Sequence, residues 1–126
     1  MKLRIKGNSL RIRVTRSEVD YFGKMNYLEE KTEFGNQEFV YALQSTDSEN
    51  ELTASYSGNK ITLFIPSSLA REWVTTERVG IEGEMETGNG KKMFLLLEKD
   101  FKCLDNTVED QSDNYENPLA QKNVNE

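Results

Sequence analysis

Residues 2–14 read KLRIKGNSLRIRV, and this stretch sets the expected fold class. Ahead of Gly7-Asn8, Leu3 and Ile5 alternate with basic residues, and the alternation resumes at Leu10. A period of two is typical of a strand that buries one of its faces. The apolar set changes from odd to even positions across the Gly-Asn pair. The stretch is therefore either one strand with a bulge or two strands of a tight hairpin.

Three further turns predict hairpins, because Gly and Asn tolerate the positive φ that tight turns require. The predicted pairs are residues 27–34 with 37–44 across Gly35-Asn36, 51–57 with 60–65 across Gly58-Asn59, and 79–86 with 91–98 around Gly88-Asn89-Gly90. Within the last pair, residues 93–97 are apolar at every position. A run of this kind predicts a central strand that is covered on both faces.

The spacing of Thr15 and Glu18 predicts the start of a helix. In a capping box, a hydroxyl and a carboxylate three residues apart each accept a hydrogen bond from a backbone N–H. The helix is expected over residues 16–22, with Gly23 placed to end it. A short first helix therefore follows the basic strands.

A second helix is predicted over residues 66–74. Pro66 suits a first helical turn, and Leu69 and Trp73 lie four residues apart on one face. Together the elements predict an α+β, mostly antiparallel β fold. We expect a curved sheet or partly open barrel of about seven or eight strands with two short helices.

The chain has 126 residues, a length that suits one domain. We expect residues 1–105 to form this β-rich domain. Residues 106–126 are acidic and poor in apolar side chains, which is typical of a disordered tail. Deletion of residues 107–126 should accordingly leave the stability of the domain nearly unchanged.

Composition excludes several classes of function. The chain has no histidine and one cysteine. Histidine-based nucleophilic pairs, histidine-ligated metals and an intramolecular disulfide are therefore excluded. The net charge of −6 argues against nucleic acid as a partner. The sequence has neither a signal-like start nor an apolar run long enough for a membrane, so we expect a cytoplasmic protein. We expect no cofactor, and the sequence leaves the oligomeric state open.

Two charged strands are the candidate sites. The first strands carry only basic charges, which suits a phosphate or carboxylate group because arginine binds such groups bidentately. Glu82, Glu84 and Glu86 project from one face of a later strand and could raise one another's pKa or hold Mg²⁺. Both sets could also be ordinary solvated surface. The candidate ligand-binding residues are Arg4, Lys6, Arg11, Arg13, Glu82, Glu84 and Lys99. We predict no catalytic residue and no metal ligand.

Electrostatics predicts that the basic and acidic sets meet across a sheet or a cleft. A sheet face with basic charges alone repels itself, because like charges on neighbouring strands are destabilising. The acids that the chain has in excess could relieve this repulsion.

Residues 2–15, 79–82 and 97–105 resemble the corresponding segments of a small uncharacterised bacterial family, and residues 115–118 are similar to its usual ending. That resemblance implies a free-standing bacterial protein and carries no activity. Arg11, Arg13, Glu82, Glu84 and the Glu98-Lys99 pair are also similar to parts of the triphosphate-tunnel (CYTH-like) enzymes. This second resemblance implies a barrel lined with Arg, Lys and Glu that holds polyphosphate.

Two functions follow from these observations. The first is a non-enzymatic ligand-binding or interaction domain, with an anion-favouring basic strand and a small anionic or phosphorylated ligand. The alternative is a phosphate-handling enzyme with an Arg/Lys/Glu-lined tunnel. These two functions can be distinguished by which face of the basic strand lines a concavity.

Overall fold

Strands and helices occupy most of residues 1–101, the part of the chain that the computed structural model describes. The strands are β1 (Lys2–Lys6), β2 (Ser9–Val14), β3 (Tyr27–Glu33), β4 (Glu38–Thr46), β5 (Thr53–Ser57), β6 (Lys60–Pro66), β7 (Gly80–Gly88) and β8 (Lys91–Lys99). The helices are α1 (Arg16–Met25) and α2 (Ser67–Thr75). The α+β class is confirmed, and so are the three later hairpins. The expected tail over residues 106–126 lies outside the described residues.

The strands form two four-stranded sheets. Sheet A has the order β1-β2-β8-β7, and sheet B has the order β3-β4-β6-β5. Each sheet consists of two antiparallel hairpins joined through a parallel pair of central strands, β2 with β8 and β4 with β6. Residues 2–14 form a hairpin across Gly7-Asn8, which decides between the two readings of that stretch. The eight strands match the expected number, but they do not close into a barrel.

The second half of the fold repeats the first. Both halves run strand, strand, helix, strand, strand: β1-β2-α1-β3-β4 and then β5-β6-α2-β7-β8. Each sheet takes one hairpin from either unit, and exchanging the units converts one strand order into the other. This is the topology of two interlocked units related by an approximate two-fold rotation. The repeat has no counterpart in the sequence beyond the Gly-Asn turns, because the units share few other residues.

Equivalent residues of the two units meet between the helices. When the turn at Gly58 is aligned with that at Gly7, Phe22 matches Trp73 and Gly23 matches Val74. The rings of Phe22 and Trp73 meet edge to face, with centroids 6.3 Å apart. A Cβ added to Gly23 would lie 2.7 Å from Cγ1 of Val74. The pseudo-two-fold axis therefore passes between α1 and α2 at these positions.

The first helix is longer than the sequence predicts. Its capping box is present as expected, with Thr15 and Glu18 as the two side chains. The helix ends at Asn26, which adopts the left-handed conformation with φ of 60°, and Gly23 lies in its interior. Asparagine tolerates this conformation, so it replaces glycine as the terminator. Gly23 is instead required by its close approach to Val74.

The second helix covers the end of the core. It runs one residue later than predicted and has no side-chain cap, since its N-cap is Pro66. Trp73 is fully buried, and its indole N–H donates to the carbonyl of Val79 at 3.0 Å. Within residues 1–101, neither helix has the length and apolar character needed to cross a membrane.

The core lies between the two sheets and beneath the helices. Its largest fully buried side chains are Trp73, Phe22, Leu10, Ile12, Leu43, Leu52, Leu63, Ile65, Leu97 and Val14. Strand β8 is central, as predicted, and it buries Leu95 and Leu97. The expectation that both of its faces are covered is wrong, because Phe94 is 54% exposed. No element packs over the outer face of sheet A within the described residues, and this face carries most of the candidate site.

Candidate functional site

Strand register places the candidate residues in rows on the outer face of sheet A. Arg4 pairs with Arg11, Arg11 aligns with Leu96, and Leu96 pairs with Glu82. These four side chains form one row across all four strands. We call this surface the charged face.

The neighbouring rows keep this order only in part. Lys6, Ser9, Phe94 and Glu84 form the row on one side, whereas the row on the other side contains Lys2, Arg13, Glu98 and Gly80. The face therefore has three parts, which are defined by their residues. The basic column is Lys2, Arg4, Lys6, Arg11 and Arg13 on β1 and β2. The apolar stripe is Phe94 and Leu96 on β8. The acidic column is Glu82, Glu84 and Glu86 on β7.

Glu98 holds two arginines of the basic column in place. The Nε atoms of Arg11 and Arg13 donate to the same Glu98 oxygen at 2.7 and 2.6 Å. The Glu98 side chain is 18% exposed. Desolvation raises the pKa of this carboxyl, but the hydrogen bonds from Arg13 and Arg11 outweigh it, and the net pKa is lowered. Glu98 is therefore charged at neutral pH and fixes both guanidinium groups.

Arg4 and Lys6 differ from these anchored arginines. Both are exposed, and neither forms an ion pair within residues 1–101. Arg4 lies directly opposite Arg11 on the neighbouring strand, an arrangement of like charges that is destabilising. The fold therefore keeps two cations available at the edge of the charged face.

The acidic column lies beyond the apolar stripe. Glu84 contacts Lys92 at 3.4 Å, whereas Glu82 and Glu86 have no ion pair in the described part of the chain. A depression of about 400 Å³ runs between the columns, lined by Ser9, Arg11, Glu82, Glu84, Phe94 and Leu96 among others. The basic and acidic sets thus occupy one sheet face, separated by β8 rather than paired directly.

Lys99 lies away from the other candidates. It aligns with the buried Val14, so its side chain projects from the opposite face of the sheet. Its Nζ donates to the carbonyl of Thr76 at 2.8 Å and lies 5.8 Å from the centre of the Trp73 ring. Lys99 therefore covers the end of α2. The structure brings the other six predicted residues onto the charged face.

The equivalent face of sheet B carries none of these cations. Aligning the two units places Thr53, Ser55, Ser57, Thr62 and Phe64 at the positions of Lys2, Arg4, Lys6, Arg11 and Arg13. Both sheets have the same strand arrangement, so the architecture does not need a basic column. The basic column is a specific property of sheet A.

A second charged cluster surrounds the α-ammonium group of Met1. This group binds a carboxylate oxygen of Glu18 and lies 3.1 Å from Glu30. The Tyr41 hydroxyl donates to Glu30 at 2.8 Å. Burial lowers the pKa of the ammonium group, but the hydrogen bonds to Glu18 and Glu30 raise it further, so the net pKa is raised. Burial, followed by Glu30, raises the pKa of Tyr41 to about 12.

Sequence reasoning missed this cluster, although one signal was present. Glu29 and Glu30 are consecutive in β3, so one of them must face the core side of a strand that is otherwise exposed on one face. Such an inward carboxylate needs a cationic partner. The ion pairs tie Met1 to α1 and β3.

A polar cavity of about 530 Å³ lies between the two helices and the end of β4. Its lining includes Asn26, Asp47, Ser67, Arg71 and Thr75. No candidate from the sequence lies there. Among residues 1–101, no group of three or more metal-ligating side chains could hold a metal ion.

A model of a family described as "Family of unknown function (DUF7009)" matches residues 1–119, so the chain belongs to that family. The resemblance to an uncharacterised family is thereby confirmed. No curated protein and no solved structure matches the chain. The resemblance to triphosphate-tunnel enzymes receives no support from these comparisons.

Proposed function

We propose that this member of a family of unknown function is a non-enzymatic binding domain that recognises an anionic group through the charged face of sheet A. The observation that carries the proposal is the difference between the two sheets. Five cations stand on sheet A where the equivalent positions of sheet B are uncharged. A pattern that the architecture does not require, and that includes a destabilising Arg4–Arg11 pair, favours a role in binding.

The arrangement of the cations supports recognition of a phosphate or carboxylate. Glu98 fixes Arg11 and Arg13, so their guanidinium groups lose little conformational freedom when an anion binds. Arg4 and Lys6 supply charge without a partner in the described part of the chain. Phe94 is exposed on β8 in the same row as Lys6, and its ring offers a surface on which an apolar part of the ligand can pack.

A phosphate-handling enzyme remains the alternative, but no observation favours it. A tunnel would require the Arg and Glu side chains to converge inside a closed barrel. In residues 1–101 they stand on an open sheet face, and the two sheets do not close. A chain without histidine also lacks the commonest general base.

Titration with two small anions tests the proposal. Inorganic phosphate and phenyl phosphate are added to dilute ¹⁵N-labelled protein, and amide shifts are followed by NMR. We expect shifts in β1, β2 and β8, with phenyl phosphate binding more tightly because its ring contacts Phe94. Shifts confined to the cavity near Arg71, or no response to either anion, would contradict the proposal.

Variants at matched positions locate the site. Arg4→Ser and Lys6→Ser introduce the residue type found at the equivalent positions of sheet B, Ser55 and Ser57. Each should weaken anion binding several-fold while leaving stability unchanged within about 0.5 kcal/mol, since both side chains are exposed. Lys31→Ser on the outer face of sheet B is the control and should bind like the unmodified chain.

A further inference from the structure

We propose that the charged face binds a second copy of this chain, whose acidic column supplies the anionic groups for the basic column. The inference rests on the proposed function, because it names the partner of the same surface. Its basis is the order of chemistry across sheet A: cations on β1 and β2, the apolar pair Phe94 and Leu96 in the middle of β8 between Lys92 and Glu98, and carboxylates on β7.

A surface with this order is complementary to itself under one two-fold rotation. The axis runs parallel to the strands, between β2 and β8. Rotation about it brings the charged faces of the two copies together, with β1 of each copy opposite β7 of the other. Each row keeps its height along the strands. The row that contains Arg4 then faces Glu82 of the second copy, and the row with Lys6 faces Glu84 of the second copy. An axis across the strands would instead bring cations against cations.

The apolar stripe takes the centre of this arrangement. Phe94 is 54% exposed on a central strand, where sheets otherwise bury large apolar side chains. The axis brings β8 of each copy opposite β2 of the other, so Phe94 and Leu96 would be covered by Ser9 and Arg11 of the second copy, with the two apolar stripes side by side at the centre. A fully covered aromatic centre with charged pairs at the rim is the usual organisation of an isologous interface.

Dimensions agree with such an interface. Strands lie about 4.8 Å apart, so β1 and β7 are separated by about 14 Å, and packed sheets lie about 10 Å apart. Arginine, lysine and glutamate side chains reach across this gap from either side. A four-stranded face buries on the order of 600 Å² per copy, near the lower end for specific interfaces. We therefore expect a reversible dimer that dissociates on dilution.

Charge reversal tests the inference. The variants are R4E/K6E, which reverses two cations of the basic column, and E82K/E84K, which reverses two acids of the acidic column. Sedimentation velocity over a range of protein concentrations measures association. Each variant alone should have a dissociation constant at least about tenfold higher than that of the unmodified chain, a difference of about 1.4 kcal/mol. An equimolar mixture of the two should recover association, because every reversed column then faces an opposite charge.

Two controls make the result decisive. Lys31→Glu on the outer face of sheet B should associate like the unmodified chain, and far-UV circular dichroism should show that every variant is folded. An unmodified chain that stays monomeric up to millimolar concentration, or a mixture that fails to recover association, would overturn the inference. If such a monomer still binds phenyl phosphate through Arg4, the proposed function stands and its partner is a separate anion.

Discussion

Glu98 accepts hydrogen bonds from two arginines that would otherwise repel each other. Arg11 and Arg13 lie on the same face of β2 and are anchored to a single carboxylate oxygen. Removing this carboxylate takes away the acid that the two partly buried guanidinium groups share beside Arg4. Glu98 therefore supports both the stability of sheet A and the geometry of its basic column.

Glu98→Gln should destabilise the domain by about 1–2 kcal/mol at pH 7, since the amide oxygen can still accept a hydrogen bond but lacks the negative charge that pairs with both guanidinium groups. Glu98 has a lowered pKa in the folded state, against an ordinary value of 4.5. Its contribution is therefore present above about pH 4.5 and is lost as the pH falls through the folded pKa. The difference in unfolding free energy between variant and unmodified chain should shrink below pH 4.5. Glu86→Gln, at an exposed position on β7, is the control and should leave the stability at pH 7 unchanged within about 0.5 kcal/mol.

Gly23 illustrates a residue whose role only the structure reveals. Its position near the end of α1 predicts a helix terminator, yet it lies inside the helix and against Val74. An added Cβ would approach Cγ1 of Val74 to 2.7 Å, and valine cannot easily rotate away because it is branched at Cβ. Close contact between the helices is thus the reason for glycine here.

Gly23→Ala should destabilise the protein by about 1–3 kcal/mol, the usual range for overpacking. The double variant Gly23→Ala/Val74→Ala should recover most of this loss, because the clash disappears and alanine favours helix by about 1 kcal/mol over glycine. Chemical denaturation of both variants, of Val74→Ala and of the unmodified chain gives the four unfolding free energies of a double-mutant cycle. Purely additive free energies would show that the two positions do not interact.

The helices differ in how they begin. Thr15 and Glu18 form a complete capping box on α1, whereas α2 starts after Pro66 without a side-chain hydrogen bond. Glu18 has a second partner in the Met1 ammonium group, and the net result of desolvation and these hydrogen bonds is a lowered Glu18 pKa. The start of α1 is therefore an ordered junction between β1, β2 and β3.

Thr15→Ala should cost about 1 kcal/mol of stability, because an N–H at the start of α1 loses its acceptor. Thr15→Ser keeps the hydroxyl and should remain within a few tenths of a kcal/mol of the unmodified chain. Thermal unfolding of the two variants measures the difference. Equal loss in both would indicate that the threonine methyl group, rather than the cap, matters.

Local patterns in the sequence predict the elements well. Alternation in residues 2–14, the Gly-Asn turns and the capping box each depend on neighbours in the chain, so the strands and the starts of both helices lie close to where expected, whereas the end of α1 does not. The partition into two sheets depends on the parallel contacts of β2 with β8 and β4 with β6, which no local pattern specifies. The positions of the candidate site residues likewise depend on the order of strands in the sheet, which no local pattern specifies. The alternation shows that Arg11 and Glu82 each leave the core, but only sheet order places them on one face and Lys99 on the other.

The two units are interlocked, since each sheet needs a hairpin from both. Neither unit can form a complete sheet alone, and the core between the sheets is shared. We therefore expect one cooperative unfolding transition. Fluorescence of Trp73, which reports the helix contact, and far-UV circular dichroism, which reports the strands, should give coincident denaturation curves. Separate midpoints for the two signals would show that one sheet survives the loss of the other.

The order of strands in the sheets also has a consequence for synthesis on the ribosome. Sheet B is drawn from one continuous segment, β3 to β6, and can assemble while the rest of the chain is being made. Sheet A joins the first hairpin to the last, and β8 takes a place between β2 and β7. The first hairpin must therefore wait, with Leu10 and Ile12 uncovered on β2, until translation has passed Lys99. Pairing of strands so distant in sequence is intrinsically slow, so completion of sheet A is the step at which the nascent chain is most exposed to aggregation.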